Sequence, residues 1–256
     1  MKNIKQLFII TGVSKGLGKS ILERVLSNKD NIVLGISRSN NPIDRENHIY
    51  LQLDLSSLNF TKIVKSKVEF ILDQHKGISD IILINNAAKL NYIDHGWKIP
   101  IEDTLNIFNL NLIAPVLLQN ILINVSFECN KYIEIVNILS GAALKPYIGW
   151  STYCSSKSAL NMYSKVVAKE IDYYKKNVKI WELLPYVMDT DMQDLIRSEA
   201  SIDAFPDLNR FIRFKQDNSL LSTEIVADKI LSLVKSQLIL NGNTYDIRDL
   251  FLENYE

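Results

Sequence analysis

The amino-acid sequence predicts an α/β fold built on a doubly wound parallel sheet. Two observations lead to this prediction. Short, nearly continuous apolar runs recur along the chain, and most are separated by longer stretches with apolar residues every three or four positions. Apolar strands that alternate with amphipathic helices are typical of a parallel sheet covered by helices on both faces. The predicted strands are Leu7–Ile10, Ile32–Ile36, Ile49–Leu53, Ile81–Ile84, Ile133–Leu139 and Val178–Leu184.

The alternation continues from residue 6 to about residue 246, with no linker rich in proline, glycine or serine and no internal repeat. We therefore expect a single domain spanning residues 1–256, although the length alone allows two. The helical pattern is clearest in two stretches. Their apolar faces consist of Ile21, Leu22, Val25 and Leu26 in one, and of Ile63, Val64, Val68 and Ile71 in the other.

Two stretches interrupt the alternation. Residues 40–47 form a polar connection, and an insertion at about 189–220 contains two amphipathic pieces, Met192–Ile196 and Phe205–Phe214. An insertion at the carboxyl edge of a parallel sheet lies where ligands bind in open α/β folds. A pair of surface helices packed on the core explains most of its residues equally well.

Composition and charge exclude several classes of protein. The 29 Lys and Arg residues cancel 29 Asp and Glu residues, so no net charge attracts nucleic acid or an anionic membrane. Cys129 and Cys154 are too few for a disulfide framework, and His48, His75 and His95 lack the spacing of zinc ligands. No apolar run approaches the roughly 18 residues that span a bilayer, and the N-terminal run is too short for a signal peptide. We expect a soluble, cytoplasmic protein without a metal.

A glycine-rich turn, Thr11–Gly18, follows the first strand and precedes the first helix. Glycines in such a turn permit positive φ, let the backbone approach a phosphate, and allow the helix to pack tightly on the strand. The free N–H groups and the dipole of the helix then favour an anion. The glycine spacing differs from the usual dinucleotide fingerprint, but its place between strand and helix is the one that the fingerprint requires. A tight connection without a ligand is the alternative.

The end of the second strand indicates which dinucleotide binds. An acidic residue at this position grips the ribose of NAD, whereas Arg accommodates the 2′-phosphate of NADP. The sequence places Arg38 here and has no acidic residue before Asp44, while Lys15 adds a second positive charge. These residues predict NADP(H), with a solvated Arg at the strand end as the alternative.

Tyr153 and Lys157 lie four residues apart in a predicted helix and therefore share a face. Ser140 lies thirteen residues before Tyr153, at the carboxyl end of the fifth strand, so both hydroxyl groups can converge on one carbonyl oxygen. A phenol with a pKa of about 10 is a poor acid or base at neutral pH. A nearby ammonium lowers the pKa of the phenol toward the working range. We interpret Cys154, on another face of the helix, as a packing residue.

The order and spacing of these motifs resemble the short-chain dehydrogenase/reductase family along nearly the whole chain. The resemblance implies a Rossmann fold, a nicotinamide cofactor and an oxidoreductase. The matching residues are Thr11–Gly18, Leu53–Leu55, Asn85–Ala88, Asn111, Ser140, Tyr153 and Lys157.

The resemblance also implies a role for each site residue. Tyr153 would act as the general acid, Ser140 would position the substrate oxygen, and Asn111 would hold a water in a proton relay. Lys157 would bind the nicotinamide ribose and lower the pKa of the tyrosine, and Asp54 would contact the adenine. The implied cofactor contacts are Gly12, Ser14, Lys15, Gly16, Leu17, Gly18, Arg38, Asp54, Leu55, Asn86, Ala87, Ala88, Tyr153, Lys157, Pro185, Val187, Thr190 and Met192, with Thr190 at the nicotinamide carboxamide.

The loops resemble one branch of this family, the bacterial sepiapterin reductase/benzil reductase branch. This branch reduces one carbonyl of vicinal dicarbonyl compounds with NADPH. The matching segments are Ser140–Trp150, Asp189–Gln193, Leu208–Phe211 and Leu220–Ser222. An apolar substrate pocket is expected from Leu144, Tyr147 and Trp150 on one side and from Met192, Ile196 and Phe205 on the other; for Trp150 and Phe205, a place in the core is an equal alternative.

Two positions depart from the family pattern. Ala88 replaces a usual glycine, and its methyl group has to fit beside the cofactor. Tyr186 follows Pro185 where glycine is also usual, so its backbone needs an acceptable φ and its ring needs space. Neither departure touches the residues with predicted catalytic roles.

Together these observations predict an NADPH-dependent carbonyl reductase for a vicinal dicarbonyl or pteridine-type ketone. One alternative is a 3-oxoacyl-thioester reductase acting on acyl carrier protein, which uses the same catalytic residues but usually has a basic docking patch. Another is an NADP-binding regulator, a class that often lacks the Tyr or the Lys. The helices near 101–124 and 150–175 form the usual dimer interface of the family, so we expect a homodimer and neither nucleic-acid nor membrane binding. Their surplus apolar residues are Val116, Leu117, Ile121, Met162 and Val166.

Overall fold

The strands of the described chain form one parallel seven-stranded sheet in the order β3-β2-β1-β4-β5-β6-β7. The computed structural model describes residues 5–40, 43–57 and 59–252. The doubly wound sheet predicted from the sequence is therefore confirmed. The strands are β1 (Gln6–Thr11), β2 (Asn31–Ser37), β3 (His48–Gln52), β4 (Asp80–Asn85), β5 (Tyr132–Ile138), β6 (Val178–Leu184) and β7 (Thr244–Asp246).

Helices cover both faces of the sheet because neighbouring side chains on a strand point to opposite sides. The helices are α1 (Gly16–Ser27), α2 (Phe60–Gln74), α3 (Ile101–Phe108), α4 (Ala114–Cys129), α5 (Ser151–Tyr173), α6 (Asp191–Glu199), α7 (Leu208–Gln216), α8 (Thr223–Leu233) and α9 (Ile247–Leu252). Leu7 and Ile9 of β1 pack in one core layer with α2, α4 and α5, whereas Phe8 and Ile10 pack in a second layer with α1 and α8.

All six predicted strands are present, with ends that differ by at most one residue. The sequence did not predict β7, because its three half-buried residues form no apolar run. Ile63 is 46% exposed, so it does not belong to the buried face of α2. The helix predicted over 101–124 is interrupted by a π-helical turn, Asn109–Ile113. Residues 41 and 42 of the predicted polar connection, and both ends of the predicted domain, lie outside the described residues.

Among the described residues, one helical stretch, Ile101–Cys129, is long and apolar enough by composition to cross a membrane. Polar residues are spread along the stretch, so it contains no uninterrupted apolar run of that length. More than half of its most apolar part is buried inside the protein, as in a core helix. Leu118 and Leu122 of α4 belong to the core layer on that side of the sheet.

A row of polar side chains crosses four strands beneath α5. Asn85 of β4 pairs in register with Asn137, which pairs with Glu182, which in turn pairs with Thr244. Asn85 Nδ2 donates to Asn137 Oδ1 at 2.8 Å. Glu182 Oε2 accepts from Thr244 Oγ1 and from Asn161 Nδ2 of α5, both at 2.7 Å. Burial raises the pKa of Glu182 to about 7, despite these hydrogen bonds.

The raised pKa of Glu182 predicts a pH-dependent stability. Because the folded protein holds a proton that the unfolded chain releases near pH 4.5, the free energy of unfolding falls as the pH rises from about 4.5 to about 7. Glu182→Gln removes this titration. We expect the free energy of unfolding of the wild type to fall by about 3 kcal/mol relative to that of the variant across this window. Denaturant unfolding at a series of pH values measures it, and parallel profiles would contradict the prediction.

Candidate active site

The glycine-rich turn connects β1 to α1 with very little free space. Gly12 has a φ of +74°, in the left-handed region that favours glycine. A Cβ atom at Gly18 would lie 2.2 Å from the carbonyl oxygen of Gly12, so the first turn of α1 packs directly on the backbone of the turn. The α1 N-cap, Lys15, makes no side-chain capping bond, and the first turn of the helix has no acidic residue. The helix N-terminus is thus suited to an anion.

The segment after β4 is fastened to this turn. Asn86 Nδ2 donates to the carbonyl oxygen of Thr11 at 2.9 Å and to that of Gly12 at 3.3 Å. Thr11 Oγ1 accepts from the backbone N–H groups of Asn86 and Ala87, each at 3.0 Å. The side chain of Asn86 therefore holds the turn in place, a role that the sequence had not suggested.

A cavity of about 520 Å³ runs from the glycine-rich turn along the carboxyl ends of the strands. Four residues with predicted roles, Gly18, Asp54, Asn111 and Phe205, do not line it. The other predicted residues do: Gly12, Ser14, Lys15, Gly16, Leu17, Arg38, Leu55, Asn86, Ala87, Ala88, Ser140, Leu144, Tyr147, Trp150, Tyr153, Lys157, Pro185, Val187, Thr190, Met192 and Ile196.

Ser140, Tyr153 and Lys157 meet at the end of β5. Ser140 follows this strand by two residues, and its hydroxyl group accepts from the N–H of Ala142 at 3.2 Å. Tyr153 and Lys157 lie in the first turns of α5 and are 5% and 3% exposed. The ammonium of Lys157 donates to the carbonyl oxygen of Ile138, the last residue of β5, at 2.9 Å. This bond fixes α5 against the strand that carries Ser140.

Burial controls the protonation of this group. It raises the pKa of Tyr153 to about 12, although a hydrogen bond with Ser140 acts in the opposite direction. It lowers the pKa of Lys157 to about 8. The lowering of the tyrosine pKa predicted from the sequence is therefore not seen, because the loss of hydration of a phenolate outweighs the other contributions. Tyr153 is a neutral phenol at neutral pH, the form that can donate a proton.

Asn111 lies in the π-helical turn, a feature often found at functional sites. Its side chain forms two hydrogen bonds of 2.9 Å with the backbone of Lys89 and donates to Ser156 Oγ at 3.3 Å. Ser156 Oγ donates in turn to the carbonyl oxygen of Tyr153 at 2.8 Å. Asn111 thus links the segment after β4 to α5, and its predicted role with a water stays a prediction.

Cations lie at the end of β2 and at the turn. Arg38 is exposed and lines the cavity. Burial and the charge of Arg38 lower the pKa of Lys89, a nearby cation that the sequence analysis did not identify. Burial raises the pKa of Asp54, but hydrogen bonds from Ser56 and the charges of Arg38 and Lys89 outweigh it and lower that pKa overall.

Lys15 forms an exposed ion pair with Asp191 of α6 at 2.5 Å, so its charge is partly compensated.

Tyr186 adopts the left-handed conformation with a φ of +59°. Its ring lies 6.1 Å from the ring of Phe214, and the guanidinium of Arg248 lies 4.8 Å from the ring centre. The structure thus provides both the backbone conformation and the space for the ring that Tyr186 requires at a position where the family usually has glycine.

Some of the residues expected to form the wall of the substrate pocket belong to the buried hydrophobic core. Trp150 is 5% exposed and stacks on Phe205, with ring centres 4.8 Å apart. Phe205 is fully buried and does not line the cavity, so the prediction that it lines the substrate pocket is wrong and it supports Trp150 from behind. Trp150 does line the cavity, where its ring lies 5.1 Å from Tyr147 and 5.8 Å from Tyr153.

Comparisons with known proteins agree with this geometry. The profile of the family described as short chain dehydrogenase matches residues 6–201. The chain is 34% identical over 244 residues to benzil reductase ((S)-benzoin forming) of Bacillus subtilis (strain 168), covering 95% of this chain and 99% of that protein. It is 29% identical over 264 residues to the sepiapterin reductase of Bos taurus, covering 96% and 95%. A solved short-chain dehydrogenase/reductase from Saccharomyces cerevisiae superposes with a TM-score of 0.82 at 26% identity, covering 98% and 99%.

The fold, the glycine-rich turn and the group at the end of β5 define an oxidoreductase with a site for a nicotinamide cofactor. The chain belongs to the short-chain dehydrogenase family, in the branch that contains the benzil and sepiapterin reductases.

The packing at the turn predicts the result of adding one methyl group. Gly18→Ala places its Cβ against the Gly12 carbonyl oxygen and within 2.5 Å of Asn86 Nδ2. We expect a loss of about 2 kcal/mol in the free energy of unfolding, together with weaker cofactor binding. Gly141→Ala is the matched control, since its Cβ would meet nothing within 4 Å. Equal stabilities of the two variants in denaturant unfolding would contradict this account.

Proposed function

We propose that this protein is a cytoplasmic, NADPH-dependent carbonyl reductase that acts on a vicinal dicarbonyl or pteridine-type ketone. The observation that carries the proposal is the group of Ser140, Tyr153 and Lys157 in the same cavity as the glycine-rich turn. The match to benzil reductase along nearly the whole chain supports the substrate class. In this proposal the chain is one catalytic domain, and the segment at about 189–220 closes over the substrate.

The residues present fit a dinucleotide. The turn at Gly12 leaves room for no side chain, and the N-terminus of α1 is suited to its phosphates. In this proposal Arg38 and Lys15 hold the 2′-phosphate, Lys157 holds the nicotinamide ribose, and Thr190 contacts the carboxamide. When bound, the nicotinamide supplies the hydride that reduces the carbonyl carbon.

The side chains of the site then handle the carbonyl oxygen. Ser140 and Tyr153 bind this oxygen, and Tyr153 donates its proton as negative charge develops there. Burial keeps Tyr153 protonated before the reaction, because its pKa is raised to about 12. Lys157 lies one helical turn away and stabilises the phenolate that remains.

A direct assay distinguishes this proposal from its main rival. The oxidation of NADPH is followed with benzil, sepiapterin and an acetoacetyl thioester under identical conditions. We expect kcat/KM for benzil or sepiapterin to be at least tenfold higher than kcat/KM for the thioester. This ratio corresponds to a difference of about 1.4 kcal/mol in activation free energy. Preference for the thioester would favour a 3-oxoacyl-thioester reductase, and binding of NADPH without turnover would favour a regulator.

Removing the proton donor tests the assignment of Tyr153. Tyr153→Phe keeps the ring and its packing, so NADPH binding should be nearly unchanged while kcat falls at least a hundredfold. Fluorescence titration measures the binding and steady-state kinetics measure the loss. A variant that keeps more than a tenth of the wild-type activity would exclude Tyr153 as the general acid.

Removing the guanidinium of Arg38 tests the preference for NADPH. Because a charge-assisted hydrogen bond to phosphate contributes about 1.5 to 3 kcal/mol, Arg38→Ala should raise the KM for NADPH at least tenfold. The KM for NADH, which lacks the 2′-phosphate, should change much less. Equal changes for both cofactors would mean that Arg38 is only a solvated residue at the end of β2.

Exposed apolar residues on α4 and α5 support a homodimer. Phe127, Met162 and Val166 are 50%, 62% and 47% exposed, whereas Leu117 and Ile121 pack partly against the core. We expect the mass of a dimer, or of a tetramer built from it, by light scattering at micromolar concentration. A monomer mass would contradict the proposal.

A further inference from the structure

Three cations line the cavity besides Lys157 and those at the glycine-rich turn and at the end of β2. They are Lys145, Arg210 of α7 and Arg248 of α9, and the carboxylate Asp246 also lines it. Asp246 is already paired with Arg248, at 2.9 Å to Nε and 2.5 Å to Nη2. Within the described part of the chain, no carboxylate lies within ion-pair distance of Arg210. The guanidinium of Arg210 is therefore available to an anion from outside the protein.

A continuous series of aromatic rings leads from the reacting end of the cavity to Arg210. The ring of Tyr153 lies 5.8 Å from that of Trp150, which lies 5.4 Å from that of Phe211. The ring of Phe211 lies 5.8 Å from that of Phe214, and the guanidinium carbon of Arg210 lies 5.3 Å from the centre of the Phe214 ring. Of this series, Tyr153, Trp150 and Phe211 line the cavity together with Arg210, so they give it an aromatic surface.

Stacking on the rings keeps both guanidinium groups at this edge of the cavity. Cation–π contacts hold a guanidinium over a ring without consuming its hydrogen-bond donors. Arg248 stacks on Tyr186, and Tyr186 lies against the same Phe214 that Arg210 covers. Tyr186 is held at a positive φ that is uncommon for a tyrosine, so its position there is imposed by the surrounding contacts.

We propose that the substrate is a ketone with an aromatic body that ends in an anionic group such as a carboxylate, and that Arg210 binds this group. The aromatic wall accommodates the body of such a molecule while its carbonyl lies at Ser140 and Tyr153. Arg210 presents several N–H donors in a plane, which matches a carboxylate in a paired geometry. The inference rests on the proposed function and narrows its substrate class.

The test compares three compounds with the same reactive dicarbonyl: benzil, 4-carboxybenzil and the methyl ester of 4-carboxybenzil. We expect a kcat/KM about tenfold higher for the carboxylate than for its ester, as one charge-assisted hydrogen bond would give. This ratio should fall to about one in Arg210→Gln and partly recover in Arg210→Lys. Arg213→Gln, an exposed residue of the same helix that does not line the cavity, is the matched control and should keep the ratio.

Binding of the same compounds to the protein saturated with NADP⁺ provides a readout that does not need turnover. The affinity ratio of carboxylate to ester should follow the same pattern across the variants. Thermal midpoints show whether each variant is folded. A wild-type ratio near one, or an equal loss in Arg210→Gln and Arg213→Gln, would overturn the inference. Tight binding with no turnover of any compound would instead contradict the proposed function alone.

Discussion

The buried hydrogen bond from Lys157 to the carbonyl oxygen of Ile138 is the contact on which the rest of the site depends. It joins the first part of α5 to the last residue of β5, and Ser140 follows two residues later. A buried ammonium is costly unless it is hydrogen bonded, so this partner largely determines where Lys157 can lie. Tyr153, one helical turn earlier on the same helix, is positioned with it. The reacting group is therefore built on the meeting of one strand and one helix.

The rest of α5 is held by polar contacts as well as apolar ones. Asn137, the residue before Ile138, donates to Ser164 Oγ at 2.9 Å, and Asn161 donates to Glu182. Buried polar networks of this kind specify one arrangement of their elements, because any shift leaves polar atoms without partners. The helix that carries Tyr153 cannot slide along the sheet without breaking them. This rigidity supports the precise placement that proton transfer requires.

Local features were predictable from the sequence, and contacts between distant segments were not. The strands and the turn at Gly12 depend on nearby residues and agree with the prediction. Lys15 pairs with Asp191, which lies 176 positions away in the sequence, and no sequence pattern predicts this ion pair. The raised pKa of Tyr153 depends on burial by several elements together, so the chemical argument from a neighbouring ammonium gave the wrong direction. Arg210 lies in Leu208–Phe211, a segment that resembles the reductase branch, but only the folded structure shows the aromatic rings beside it.

In the proposed reaction, a hydride passes from the nicotinamide ring to a carbonyl carbon while the protein supplies the proton. The most direct measurement uses NADPH with deuterium at both positions of C4 and benzil as the acceptor, followed by mass spectrometry of the product. We expect benzoin with a single deuterium on the new carbinol carbon, and oxidised cofactor that keeps the other deuterium. Benzoin without deuterium, or no reduction of benzil with any nicotinamide cofactor, would contradict it.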